Sequence, residues 1–214
     1  LVAQNIVNVT DTAFLGRVGE VELGASAIAG LFYISLFMLG FGFGIGGQIL
    51  MARRNGERNY QEIGKIVDNS LYFLMGMGLV LFILIKFFSP VMLRPMIESE
   101  AIFNASNDFL QYRIYGIFFA FGNVLLRGFF IGTTNTRVLT YNALIMAGTN
   151  VFLDYALIFG HFGFPQMGIK GAAIASSIAE AVSAVYFFYY TFKMVDLKKY
   201  NLFNFGKIDW SIVR

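Results

Sequence analysis

The sequence predicts an all-α fold: a polytopic membrane bundle of six transmembrane helices, the first of them truncated. Three observations lead there. Of 214 residues, 57% are hydrophobic and only 14% are charged, against about 25% charged in an ordinary soluble domain. Leu23 to Ala52 runs for thirty residues without a charge, well past the ~20 apolar residues that cross a bilayer as a helix. Further apolar runs follow at intervals that leave only short loops between them. The same composition excludes a disordered chain, which needs low hydrophobicity and high net charge. With no Cys and a single His, His161, disulfides, a Cys nucleophile and a multi-His metal cage are excluded too.

The elements follow in order. Residues 1–15 are too short to span and read as the second half of a helix. They lack the basic n-region and small-residue cleavage site of a signal peptide. Because the chain opens at Leu1, inside this apolar stretch, we expect a piece of a longer protein. The second helix is predicted at 24–51. The third is predicted at 67–88, where the uncharged run from Asn69 to Ile85 stops before Lys86 and Pro90. The fourth, 107–131, carries Asp108, Arg113 and Arg127 towards its ends, where long cationic side chains snorkel to the interface and an acid such as Asp108 or Asp68 is close to water. The fifth, 138–160, contains Asp154, and the sixth, 170–193, contains Glu180. Residues 1–193 are thus one transmembrane bundle, and 194–214 are a connector carrying Tyr200, Phe203, Phe205 and Trp210.

Charge orients the bundle. The net charge is +3, from 16 basic and 13 acidic residues. A basic excess this small, on so apolar a chain, gives no solvated face for nucleic acid and fits juxtamembrane loops. With the N-terminus cytoplasmic, eleven basic residues fall on the cytoplasmic side: Arg53, Arg54, Arg58, Lys65, Arg127, Arg137, Lys193, Lys198, Lys199, Lys207 and Arg214. Five fall on the other: Arg17, Lys86, Arg94, Arg113 and Lys170. That bias predicts the orientation.

Small residues predict packing. Gly40 with Gly44, and Gly42 with Gly46, each recur four residues apart on one face of the second helix. In lipid, small residues allow backbones to approach where no hydrophobic drive exists; a bending point is the functional alternative. Gly171, Ala172 and Ala173, then Ala175, Ser176 and Ser177, repeat the pattern on the last helix.

Charges at bilayer depth are costly, by roughly 2.5–3.5 kcal/mol on insertion scales, so they need partners or a function. Gln4, Asn8 and Asp11 form a polar stripe on the first helix. Asn142, Met146, Asn150 and Asp154 share one face of the fifth, and Ser176, Glu180 and Ser183 one face of the sixth. Asp11, Asn150 and Asp154 offer oxygen ligands suited to a hard cation such as Na⁺, and paired carboxyls can equally share a proton. The bland reading of the same residues is interhelical hydrogen bonding. Gln4, Asn8, Asn142, Met146 and Glu180 are candidates to line a substrate cavity.

Val9-Thr10-Asp11-Thr12-Ala13-Phe14-Leu15-Gly16-Arg17-Val18-Gly19 resembles the first-helix signature of the MATE family, the multidrug and toxic compound extrusion transporters. Gly46-Gly47-Gln48-Ile49 with Ala52-Arg53-Arg54-Asn55-Gly56 resembles that family's second helix and loop. Arg127-Gly128 with Gly132-Thr133-Thr134-Asn135-Thr136, then Asn150-Val151-Phe152-Leu153-Asp154, then Gly171-Ala172-Ala173-Ile174-Ala175-Ser176, resemble later motifs in the family's order. The resemblance implies one lobe of a twelve-helix, two-lobe transporter, of which this chain is the N-terminal six-helix bundle, its partner being a C-terminal bundle outside these residues. It implies an antiporter in the inner membrane of a bacterium that exports cationic or amphipathic compounds in exchange for Na⁺ or H⁺, with no other cofactor. The implied cation site is Asp11, Asn150 and Asp154, completed by the Ser176 hydroxyl and the Ala172 carbonyl.

Two other classes compete. A lipid-linked oligosaccharide flippase of a related superfamily needs cationic side chains in its cavity to hold a pyrophosphate, and only Arg113 and Arg127 lie at bilayer depth. An intramembrane aspartyl protease needs a Gly-x-Gly-Asp signature, but Asp154 follows Leu153 and Asp11 follows Thr10; we expect no enzyme.

Overall fold

A computed structural model describes residues 2–205, with side chains from Val7 onward except Asn8. Every regular element among the described residues is helical. The helices are α1 (Val2–Val18), α2 (Glu20–Gly56), α3 (Tyr60–Leu93), α4 (Glu100–Arg113), α5 (Ile117–Gly132), α6 (Arg137–Phe159), α7 (Ile169–Met194) and the short α8 (Leu197–Tyr200). A single 3₁₀ turn, Ile114–Gly116, joins α4 to α5. Among the described residues, five stretches are long and apolar enough to cross a membrane: Glu20–Gly56, Tyr60–Met96, Glu100–Gly132, Arg137–Phe159 and Ile169–Met194.

The helices run longer than the apolar stretches within them. At 37 residues, α2 is about 55 Å long, nearly twice a hydrocarbon core. Its last turn carries Arg53 and Arg54, which both pair with Glu57 just beyond. A helix satisfies its own backbone in water as well as in lipid, so it stops where capping dictates and not where the membrane ends. The fourth span likewise starts at Glu100, capped by Ser99, and not at 107.

Packing is closest where residues are small. Gly40 lies against the Phe121 ring and Gly44 against Val124, bringing α2 onto α5. Gly128 and Gly132 of α5 return the approach, at 3.3 Å from a Gln48 atom and 3.1 Å from the Ala52 backbone for the position a Cβ would take. Among the described residues, Gly42 and Gly46 meet nothing within 4 Å. Only one of the two predicted glycine faces is therefore a packing face; the other is open. Gly171 seats the start of α7 on the Leu157 backbone, 2.7 Å from where its Cβ would stand, and the buried alanines 172, 173, 175 and 179 continue that seam.

Gly160 ends α6 in the left-handed region, at φ +76°. Gln166 N–H lies 2.9 Å from where a Cβ would stand there, so glycine is required for the loop to fold back. α1 lies across α6 and α2 by its second half. Phe14 packs on Tyr155 and Phe159, and Leu15 joins Ala25, Ile158, Ile169 and Ala172 in a small cluster.

Candidate functional site

Helix α7 is a polar ladder. The Asn150 amide donates to Ser176 Oγ at 3.4 Å. Ser177 Oγ donates to the Ala173 carbonyl at 2.9 Å and to the Arg113 carbonyl at 3.3 Å. Glu180 holds Arg113 through both carboxylate oxygens, one at 2.8 Å. Asn142 and Ser183 each donate to the other, at 2.7 and 3.1 Å. Each rung ties α7 to α4 or α6 within the bundle.

The exception lies one turn along α6. Asp154 is fully buried and Asn150 nearly so, at 0% and 1% exposed. Their spacing of four places them on one face, turned towards α1. There Asp11 brings its carboxyl within hydrogen-bonding reach of Asp154. No donor among the described residues serves Asp11 Oδ1, Asn150 Oδ1 or either Asp154 oxygen. Buried polar atoms without partners are rare in folded proteins. Here four buried acceptor oxygens gather on two helices, two carboxylates among them. The Arg113 guanidinium is engaged with Glu180.

Two carboxylates and an amide form an oxygen-only donor set. It fits a proton or a hard cation. Among the described residues no three His, Cys, Asp or Glu side chains come together as a metal cage. Counting from Phe159, Asp154 is about 8 Å inside α6, while Glu180 is about 16 Å inside α7 from Ile169. The unpaired carboxylates therefore sit nearer the end of the bundle opposite its basic loops, and the Arg113–Glu180 pair near the middle.

A family model described as MatE matches residues 1–156. The chain belongs to the MatE family. It is 27% identical over 209 residues to a probable multidrug resistance protein NorM of Rhizobium meliloti (strain 1021), covering 97% of this chain and 44% of that protein. Over 180 residues it is 27% identical to the probable multidrug resistance protein YoeA of Bacillus subtilis (strain 168), covering 83% of this chain and 39% of the relative. The chain thus spans less than half the length of these relatives. Its fold matches a MATE family transporter of the MOP superfamily in an outward-facing conformation, with TM-score 0.88, 21% identity, and 99% of this chain on 46% of that one. An inward-facing structure matches with TM-score 0.84 at 22% identity, over 98% of this chain and 47% of the other. With its apolar rods, the MatE chain is an integral membrane protein.

The remaining candidates of this MatE bundle fall in different places. Gln4 and Asn8 lie outside the described side chains. Met146 is half-buried between Asn142 and Asn150 on α6. Asn142 is closed against Ser183 and Glu180 against Arg113, so each already has a protein partner. Ala172 is buried beside Leu15 and Ile158.

Two expectations need correction. Arg113 does not snorkel: its side chain is 12% exposed, and its guanidinium lies over the Tyr33 ring at 4.2 Å. Only folding brings Glu180, 67 residues on, alongside it. Asp68 is not solvated at a helix end: it is buried and accepts backbone N–H groups from the connector. Within the stretch read as a connector, α8 and the residues after it pack onto α3. By contrast Asp108 is exposed and pairs with Lys170 at 3.1 Å. Sequence reasoning also passed over Gln111, Tyr33 and Asn123, whose polar groups looked ordinary without knowledge of what faces them.

Proposed function

We propose that this chain is the N-terminal lobe of a secondary active antiporter that exports cationic or amphipathic toxic compounds in exchange for Na⁺ or H⁺. One observation carries the reading: the buried Asp11, Asn150 and Asp154 oxygens without a donor. Two neighbouring carboxylates in a low-dielectric site repel each other unless a positive charge lies between them. A proton or a sodium ion supplies that charge. The residues that would hold it are Asp11, Asn150 and Asp154, with Ser176 already bonded to Asn150 and Ala172 on the same side of α7.

When the cation leaves, the repulsion returns, and α1 is the movable party. It carries Asp11 and holds to the bundle through Phe14, Leu15 and Val18. Binding and release of the cation would thus bias α1 between two positions, and substrate release would follow in an alternating-access cycle with a second lobe. The membrane proposed is the bacterial inner membrane with the N-terminus cytoplasmic. In support, the basic α2–α3 loop and the basic segment after α7 meet at one end of the bundle, where Gly64 touches Asn201.

Efflux of a fluorescent organic cation from proteoliposomes of the full-length protein, driven separately by Na⁺ and by H⁺ gradients, tests this. Asp11→Asn and Asp154→Asn should each abolish gradient-driven efflux. Unchanged coupled transport in both would overturn the site. The flippase reading has less support: Arg113 is engaged with Glu180, and Arg127 is exposed near the end of α5.

A further inference from the structure

The uncharged run of α3 begins immediately after a buried acid, Asp68. Its Oδ1 accepts the Phe203 N–H at 3.1 Å and its Oδ2 the Phe205 N–H at 3.0 Å. The Asn204 N–H faces the same carboxylate. Asp68 is 4% exposed, so water competes little for these bonds.

The backbone that supplies them is unusual. Phe203 has φ +58° and Phe205 φ +45°, after Asn201 at +52°. Bulky residues seldom adopt the left-handed region. Alternating it with ordinary backbone turns successive N–H groups to one side, which makes a concave nest for an anion. The anion here is the protein's own Asp68. Around this bond the segment is packed. Phe203 meets Phe192 and Phe188 of α7, Phe205 meets Tyr72 of α3, and Lys199 lies over Tyr60 at 4.2 Å. Gly64 completes the fit: the Asn201 and Tyr200 carbonyls pass where a Cβ would stand.

We infer that Asp68 and the backbone of residues 203–205 form a catch that fastens the segment leaving α7 to the cytoplasmic end of α3, so that this segment moves with the bundle as one body. Asp68 is a positioning residue in this scheme. The inference rests on the antiporter reading in one respect: with this segment fixed to the first lobe, motion of one lobe of the full transporter would be passed to the other, and a slack connector would blunt their coupling.

Hydrogen exchange on the full-length protein in nanodiscs tests the catch, with efflux under an ion gradient read in parallel. Asp68→Ala removes the anion. Gly64→Ala pushes the connector off independently, leaving Asp68 in place. Both should speed exchange at the 203 and 205 amides at least tenfold while α3 amides 74–85 keep their wild-type protection, and both should slow coupled efflux at least threefold. Unchanged exchange at 203 and 205 in Asp68→Ala would overturn the catch. Faster exchange with undiminished efflux in both variants would overturn its role in coupling. If wild-type protein exchanges slowly at 203 and 205 yet shows no gradient-driven efflux, the antiporter reading fails and the catch stands.

Discussion

Gln111 on α4 serves the backbone carbonyl that Pro90 leaves without a donor on α3. Proline has no N–H, so the carbonyl four residues before it, that of Lys86, loses its helical partner. The Gln111 amide donates to Lys86 O at 3.0 Å, to Ile85 O at 3.4 Å and to Ser89 Oγ at 3.0 Å. Ser89, fully buried, donates on to Asn107 Oδ1 at 2.7 Å. α3 therefore continues past Pro90 to Leu93 without a break. Transmembrane helices tolerate proline when a neighbour satisfies the freed group in this way.

Gln111→Leu is expected to destabilise the bundle by about 1 kcal/mol, the range for a buried group left unpaired in a membrane protein. Pro90→Ala restores the N–H that serves Lys86. In the Pro90→Ala background, Gln111→Leu should cost less. A double-mutant cycle by denaturant unfolding in micelles measures the coupling, and additive costs would contradict the rescue.

The Arg113–Glu180 pair is 12% and 13% exposed, and Gly116 makes room for it: a Cβ there would stand 2.5 Å from Glu180 Oε2. Arg113→Met alone leaves Glu180 buried and uncompensated and should cost about 3–5 kcal/mol. Arg113→Met with Glu180→Leu removes both charges and should recover most of that loss. Thermal unfolding of both variants in detergent discriminates; a double variant no better than the single would show that the pair is held for something besides charge balance.

The two glycine faces of α2 should respond oppositely. Gly40→Ala drives a methyl into the buried Phe121 ring and should destabilise by about 1–3 kcal/mol. Gly42→Ala meets open space and should be neutral or stabilising by up to about 1 kcal/mol through helix propensity. Unfolding midpoints of the two variants give the comparison directly.

At the end of α2, Arg54 first and Arg53 second hold the Glu57 carboxyl below the usual carboxylate range. A lowered pKa in the fold means the contribution is fully present above the unfolded pKa and is lost as pH falls through the folded one. Amide exchange at residues 57–59 should therefore rise as pH drops below about 4.5, after correction for intrinsic rates, and Glu57→Gln should abolish that dependence. The exchange of residues 40–47 should not follow it.

Much of this molecule was legible in its residue order. Apolar run length against bilayer thickness marked the spans, because helix rise and hydrocarbon depth are both local constants. The helical period put Asn150 and Asp154 on one face. What the sequence could not tell was which polar group would find a partner. Glu180 and Asp154 look alike as lone acids in apolar helices. Folding brings Arg113 to one and, among the described residues, a second acid, Asp11, to the other. Likewise Asp68 at a helix margin met a backbone nest more than a hundred residues away, at Phe203 and Phe205, and of two equal glycine pairs only one met a neighbouring helix. Compensation of a buried charge is a property of which helices touch, and that depends on the packing of the whole bundle; the spans themselves need only their own residues and the membrane.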